Sequence, residues 1–210
     1  MDQVESPHAV VPLEAGAGPE NPPCPACCEP LFGWIGQKPG MAGPVLRCES
    51  CGLGVVGETG GSEEALRALD ALRDGDSITI ENRASFACSL GNAGWAGLQP
   101  QARYLFTTEA VRRLVARRDQ VVKSRRWLPG ASLAATWQTL LNSVTFGRNV
   151  ALGALRDIPA VPAPQRWQRR IDALASVVLA IPALLVAIPV EIAGGICGRG
   201  AILTLKTQPL

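Results

Sequence analysis

The chain has 210 residues, of which 47% are hydrophobic and 18% charged, so it can hold one ordinary core, or a small metal-stapled module beside a second modest domain. Its formal net charge is only +2, but the segment from Arg103 to Arg126 carries eight basic and two acidic residues, which predicts one strongly positive surface. The single histidine, His8, lies in the N-terminal segment that is predicted to be disordered, which argues against catalysis by a histidine base.

Residues 1–21 are rich in proline, glycine, alanine and acidic residues and carry no lysine or arginine. Such a composition cannot bury enough apolar surface to offset the loss of chain entropy, and it predicts a disordered leader. The leader has no apolar run of signal-peptide length, which argues against export and favours a cytoplasmic protein with reduced cysteines.

Two Cys-x-x-Cys pairs, Cys24 with Cys27 and Cys48 with Cys51, are separated by twenty residues. Each short turn presents two sulfurs to the same point, so four thiolates can surround one Zn²⁺ at the corners of a tetrahedron. The alternatives are two disulfides or four unrelated buried thiols, but nothing in the chain is typical of a secreted protein. We therefore predict a zinc ribbon over residues 22–57. A closed site of four thiolates has no open coordination position, which argues against catalysis at the metal.

The next segment, 58–130, mixes helical and strand patterns after a short amphipathic helix. Ser77–Glu81 alternates between polar and apolar residues as a strand does, and the glycines that follow predict a long loop over 83–100. A second helix is expected after Thr107, a typical N-cap residue. Gln120–Trp127 is then predicted to be a strand whose exposed positions are basic.

The run from Asp74 through Leu128 resembles the last third of a class I S-adenosylmethionine-dependent methyltransferase. Gly75-Asp-Ser-Ile-Thr-Ile-Glu-Asn82 is similar to the fifth strand of that family, and Tyr104-Leu-Phe-Thr-Thr-Glu-Ala-Val111 is similar to the helix that precedes its sixth strand. Gly198-Arg-Gly-Ala-Ile-Leu-Thr-Leu205 is similar to the family's final strand, and many bacterial members also begin with a Cys-x-x-Cys ribbon.

The resemblance also implies what this chain lacks. Family members place their first four strands, the glycine-rich cofactor loop and the ribose-binding acid between the ribbon and the fifth strand, where this chain has only a short helix. The turn before the second helix carries Ala102, Leu105 and Thr108, where the family has His, His and Pro. The resemblance therefore implies a truncated relative that lacks the half for S-adenosylmethionine, with no catalytic or cofactor-binding residue.

The fold class that follows is α+β, or partial α/β. It combines an N-terminal zinc ribbon, a three-stranded remnant of a Rossmann-like methyltransferase sheet and a hydrophobic helical hairpin.

Residues 131–198 are predicted to form a helical, membrane-associating insert, followed by a terminal strand and tail at 199–210. Ala131–Leu155 has helical spacing, prolines end it, and Ala173–Val190 then runs for eighteen residues without a charge. A helix of that length spans about 27 Å, close to the roughly 30 Å of a hydrocarbon core. Its two prolines favour a kinked or re-entrant segment that does not cross, and the alternative is a buried core helix.

These patterns lead to one preferred function and two alternatives. We expect a non-catalytic, zinc-binding, methyltransferase-derived scaffold or interaction protein on the cytoplasmic face of the cell membrane, with another protein as its partner. The membrane surface would be contacted by Ala173–Val190 and by the basic stretch Arg112–Arg126. The first alternative is a methyltransferase, or a part of one that a partner chain completes. The second is a zinc-ribbon nucleic-acid-binding protein, which is less favoured because few aromatic residues interleave with the basic ones.

Overall fold

The computed structural model describes residues 21–37, 41–155 and 160–210, which form an α+β fold with two antiparallel sheets and six helices. Residues 1–20 of the predicted leader (1–21) lie outside the described residues.

The first sheet is built mainly from the predicted ribbon. It consists of β1 (Leu31–Ile35), β2 (Val45–Cys48), β3 (Gly54–Val56) and β6 (Tyr104–Leu105). The strands lie in the order β1-β2-β3-β6, and each neighbouring pair is antiparallel. β6 covers the edge of β3, whose N–H and C=O groups would otherwise lack strand partners. The ribbon is therefore joined to the next segment through its own sheet.

The second sheet contains the three strands that the sequence predicts after the ribbon. It consists of β4 (Arg73–Asp74), β5 (Ser77–Glu81), β7 (Gln120–Trp127) and β8 (Ile202–Pro209). The order is β4-β5-β8-β7, so the C-terminal strand lies between the two earlier ones and pairs antiparallel with both. A Rossmann-like sheet is mostly parallel, whereas all strand pairings in this sheet are antiparallel.

Three short helices connect the strands: α1 (Ser62–Asp70), α2 (Phe86–Gly91) and α3 (Thr108–Ala116). Thr107 caps α3 as predicted, because its hydroxyl accepts a hydrogen bond from the Ala110 N–H at 3.1 Å. The prediction of a loop over 83–100 is wrong, since α2 and a 3-10 turn lie within it. The Ser85 hydroxyl starts α2 by accepting a hydrogen bond from the Cys88 N–H at 3.1 Å, and this cap outweighs the local abundance of glycine.

One apolar core lies between the ribbon, the first and third helices and the second sheet. It includes Leu31 and Leu53 of the ribbon, Leu66 of α1, Leu114 of α3 and Leu203 of β8, all buried. Three of the metal-binding candidates belong to the same cluster. The ribbon and the α/β segment are thus stabilised by the same buried surface.

The C-terminal half contains α4 (Pro129–Asn142), α5 (Val150–Leu155) and α6 (Arg166–Ile196). The prediction of a single helix over 131–155 is wrong, because the chain leaves the helix after Asn142. The buried Asp172 carboxylate accepts hydrogen bonds from the backbone N–H groups of Phe146 and Gly147, each at 2.8 Å. These contacts with α6 hold the intervening turn open, and spacing along the sequence cannot reveal them.

α4 and α6 pack against each other in opposite directions and form the predicted hairpin of helices. α6 is longer than the uncharged run Ala173–Val190 that it contains, since it begins at Arg166 and ends at Ile196. A kinked or re-entrant segment was predicted; the helix continues past both Pro182 and Pro189, so the re-entrant alternative is wrong. At 31 residues it is about 46 Å long.

Candidate metal centre and exposed apolar surface

The four predicted ligands converge. The Sγ atoms of Cys24 and Cys51 lie 3.6 Å apart, those of Cys27 and Cys48 lie 3.4 Å apart, and all four fall within 4.8 Å of one another. Four thiolates about 2.3 Å from one tetrahedral zinc ion would be separated by about 3.8 Å. The cluster is therefore compatible with a bound metal ion, and the donor set of four thiols is the one that structural zinc sites use.

Two tight turns bring the sulfurs together. The Cys28 N–H donates to the Cys24 carbonyl oxygen at 2.9 Å, and the Gly52 N–H donates to the Cys48 carbonyl oxygen at 3.0 Å. Gly52 has a φ of +76°, and a Cβ at this position would lie 2.9 Å from Cγ2 of Thr107. Both the backbone conformation and the close packing therefore require glycine directly after the last ligand.

In the metal-free chain, burial and contacts among the sulfurs shift the pKa values of the thiols. The hydrogen bond between Cys24 and Cys51 lowers the pKa of the Cys24 thiol to about 5 and raises the pKa of Cys51, since one proton serves both sulfurs. Burial raises the pKa of Cys27. A divalent cation among the sulfurs would favour the thiolate form of all four, so metal binding and proton release are coupled at this site.

Two residues outside the cysteine motif hold the second turn in place. Thr107 donates its hydroxyl to the Cys51 carbonyl oxygen at 2.6 Å while it caps α3. Arg83 donates to the Gly52 carbonyl oxygen at 2.7 Å and stacks on Trp34, 4.3 Å from the ring centroid. Sequence reasoning identified Thr107 only as a helix cap and missed Arg83, because the contacts join residues far apart in the chain.

Cys28 lies outside the cluster. Its side chain is exposed and its Sγ is 3.5 Å from a guanidinium nitrogen of Arg117. It is a thiol next to the site that is not a ligand, and it therefore provides a matched control for substitution of Cys27.

α6 presents a large apolar surface to the outside of the chain. Within the described residues it is the one helix long and apolar enough to cross a membrane, and only 6% of its most apolar window is buried. Val177 and Ile181 are 76% and 71% exposed, and Ile196 at the end of the helix is 81% exposed. The alternative of a buried core helix is therefore wrong for this chain.

The helical pair is polar inside and apolar outside. The buried Glu191 carboxylate accepts hydrogen bonds from Trp127 Nε1 at 2.9 Å, from the Thr136 hydroxyl at 2.6 Å and from the Ala201 N–H at 2.9 Å. The buried side of α4 is also mostly polar: Ser132, Thr136, Gln138, Thr139, Leu141 and Asn142. A water-soluble helical pair shows the opposite distribution.

The predicted basic stretch is divided between two elements. On α3, Arg113 donates to Glu109 at 2.9 Å, and after that helix Arg118 pairs with Asp70. Lys123, Arg125 and Arg126 are exposed on β7, which is an edge strand of the second sheet. Within this stretch, the basic side chains without a described carboxylate partner are Arg117 and the three residues on β7.

Comparison of the chain with protein-family models, with curated proteins and with solved structures finds no match.

Proposed function

We propose that this chain is a non-catalytic, zinc-binding scaffold or interaction protein, derived from a methyltransferase, that lies on the cytoplasmic face of the cell membrane. The observation that carries the proposal is the outward-facing apolar surface of α6, together with the polar interior of the helical pair. Exposure of that apolar surface to water is unfavourable, whereas its contact with the hydrocarbon of a bilayer is favourable.

An embedded helix that does not cross the bilayer fits the contacts best. Asn142 at the end of α4 donates to the Gly94 carbonyl oxygen at 2.9 Å, and Arg148 donates to the Leu98 carbonyl oxygen at 2.7 Å. These bonds fix the C-terminal end of α4 against the segment that follows α2, and α6 packs on α4. A crossing α6 would draw part of the polar domain into the hydrocarbon, whereas a helix parallel to the surface would not.

The metal proposed for the four-cysteine site is Zn²⁺ with a structural role. Cys24, Cys27, Cys48 and Cys51 would hold it, and it would join the two turns of the ribbon next to the shared core. Metal analysis of the purified chain should find one zinc ion per chain, lost when Cys48 is replaced by serine. A chain that folds without stoichiometric metal would contradict this part of the proposal.

The derivation from a methyltransferase is supported by one feature of the fold. The three strands that the resemblance assigns to the end of the methyltransferase sheet, β5, β7 and β8, lie side by side in one sheet. Calorimetry with S-adenosylmethionine separates a scaffold from a working enzyme: we expect no heat of binding, and measurable binding by this chain alone would favour the methyltransferase alternative.

Flotation with protein-free vesicles tests the membrane part. We expect the purified chain to float with neutral phosphatidylcholine vesicles and to remain bound when salt is raised, since burial of apolar surface is not screened. Release by salt would indicate contact with headgroups only. Failure to float with any vesicle, combined with salt-sensitive retention on RNA or DNA, would favour the nucleic-acid alternative.

A further inference from the structure

Four arginines line a cavity of about 450 Å³ between the ribbon and the end of α6. They are Arg83, Arg112, Arg125 and Arg199. The second turn of the metal site and the start of α3 form one side of this cavity, and Cys197 and Gly198 after α6 form the other. The volume is in the range of small-molecule sites.

Two of the arginines are held in position by stacking and by backbone acceptors. Arg83 stacks on Trp34, and its Nε atom is buried with no hydrogen-bond partner among the described residues. Arg199 lies 4.6 Å from the ring centroid of Phe86, and its Nε donates to the Ala84 carbonyl oxygen at 2.8 Å. Guanidinium groups fixed in this way lose little side-chain entropy when they bind an anion.

The third arginine approaches the end of α6. The guanidinium group of Arg125 is packed so closely over Gly198 that a Cβ at that glycine would lie 2.0 Å from Nη2. Arg125 is exposed on β7 and forms no ion pair with a described carboxylate. Its positive charge is therefore available to a ligand in the cavity.

Two carboxylates also line the cavity, but each has an arginine of its own. Glu109 accepts from Arg113 at 2.9 Å and lies 3.7 Å from Arg112, while Glu49 lies 3.5 Å from Arg47. The four thiolates around a zinc ion would add two negative charges nearby. The six arginines of this region outnumber the two carboxylates and those two charges together, so the cavity stays positive.

We propose that this arginine-lined cavity binds a phosphate group, and that the phosphate belongs to an anionic lipid whose acyl chains lie along α6. Arginine is suited to phosphate because its planar group donates two parallel hydrogen bonds to the oxygens. The lipid is favoured as the source because the cavity wall continues directly into the exposed apolar end of α6 at Ile196. The lipid part rests on the proposed membrane function, whereas the phosphate part does not.

The test compares two double variants that remove equal charge. Arg125→Gln with Arg199→Gln changes the cavity, and Lys123→Gln with Arg126→Gln changes the same edge of the molecule outside it. The unsubstituted chain should bind phosphatidylcholine vesicles that contain phosphatidic acid at least tenfold more tightly than vesicles of phosphatidylcholine alone. Because both variants remove two positive charges, diffuse attraction to the anionic vesicles should weaken equally in both, by about fivefold per charge at most. We expect the cavity variant to lose at least tenfold more affinity for the phosphatidic acid vesicles than the control variant. Thermal unfolding of both variants verifies that they are folded.

The other outcomes separate the cavity from the membrane proposal. Equal losses in the two double variants would overturn the cavity and indicate diffuse attraction. Binding to neutral vesicles without any preference for phosphatidic acid would overturn the cavity and leave the membrane function standing. Binding of glycerol phosphate, seen by NMR and lost in the cavity variant, without vesicle binding would overturn the lipid source. Tighter binding to an RNA oligonucleotide than to vesicles, lost in the cavity variant, would likewise overturn it.

Discussion

Replacement of Ile181 by aspartate places a charge in the middle of the exposed face of α6. Ile181 is 71% exposed and points away from the protein, so the substitution should change the free energy of unfolding in solution by less than about 0.5 kcal/mol. On a bilayer insertion scale, isoleucine is favourable by about 0.5 kcal/mol and aspartate is unfavourable by about 3 kcal/mol at the membrane centre. The two terms add to about 3.5 kcal/mol at the membrane centre, and for a helix that is embedded less deeply we take about 3 kcal/mol, which corresponds to more than a hundredfold weaker partition into vesicles.

Flotation at increasing lipid concentration measures that partition. Leu72→Asp is the matched control, because Leu72 is 42% exposed and follows α1, outside the helical pair. It should leave partition unchanged. If Ile181→Asp partitions like the wild type, or if both substitutions weaken binding equally, then the exposed face of α6 does not enter the hydrocarbon.

Three further predictions concern the four-cysteine site, the helical pair and one half-buried acid. Cys27→Ser should abolish stoichiometric metal binding and increase hydrogen exchange in the strands of the ribbon, whereas Cys28→Ser should do neither; equal effects would contradict the ligand assignment. Glu191→Leu leaves the buried Thr136 hydroxyl and Ala201 N–H and the half-buried Trp127 N–H without their acceptor, so urea denaturation should show a loss of about 3 to 5 kcal/mol, and a loss below about 1 kcal/mol would argue against this network. Burial raises the pKa of the Glu81 carboxyl to about 7, so the unfolded chain releases this proton first and the free energy of unfolding falls by about 3 kcal/mol between about pH 4.5 and about pH 7. Glu81→Gln should remove that fall, and an unchanged pH dependence in the variant would contradict it.

The convergence of the four cysteines was predictable because the residues that determine it are close together in the sequence. Spacing within each Cys-x-x-Cys pair fixes which sulfurs can meet, and the turn glycine stands next to the last ligand. The hydrogen bonds from Thr107 and Arg83 that hold the second turn were not predictable, because they join segments more than thirty residues apart.

The helices show the same limit. The uncharged run Ala173–Val190 indicated an exposed apolar helix, but not its ends, since a mutual capping interaction between Gln165 and Gln168 starts α6 earlier. The end of α4 depends on Asp172, which binds two backbone N–H groups across the helical pair. Spacing along the chain predicts where apolar residues share a face, but it does not reveal a carboxylate that arrives from another helix.

The sequence predicted the strands themselves better than their pairing. Alternation predicted Ser77–Glu81 and Gln120–Trp127 as strands, and both are strands in one sheet. The pairing of Val55 with Tyr104, which extends the ribbon sheet, had no signal in the sequence because β6 is two residues long. Short strands of this kind form only where tertiary contacts place them beside an open edge.

The depth of α6 in a bilayer tests the central claim most directly. The fluorescence that Ile181→Trp adds to that of the five natural tryptophans reports on the surroundings of position 181 through quenching by brominated lipids. If α6 is embedded in the bilayer, bromine atoms on the acyl chains should quench this fluorescence strongly, and the quenching should not change when salt is raised. Fluorescence that is insensitive to brominated acyl chains would contradict it, because the apolar face of α6 would then not be in contact with lipid hydrocarbon.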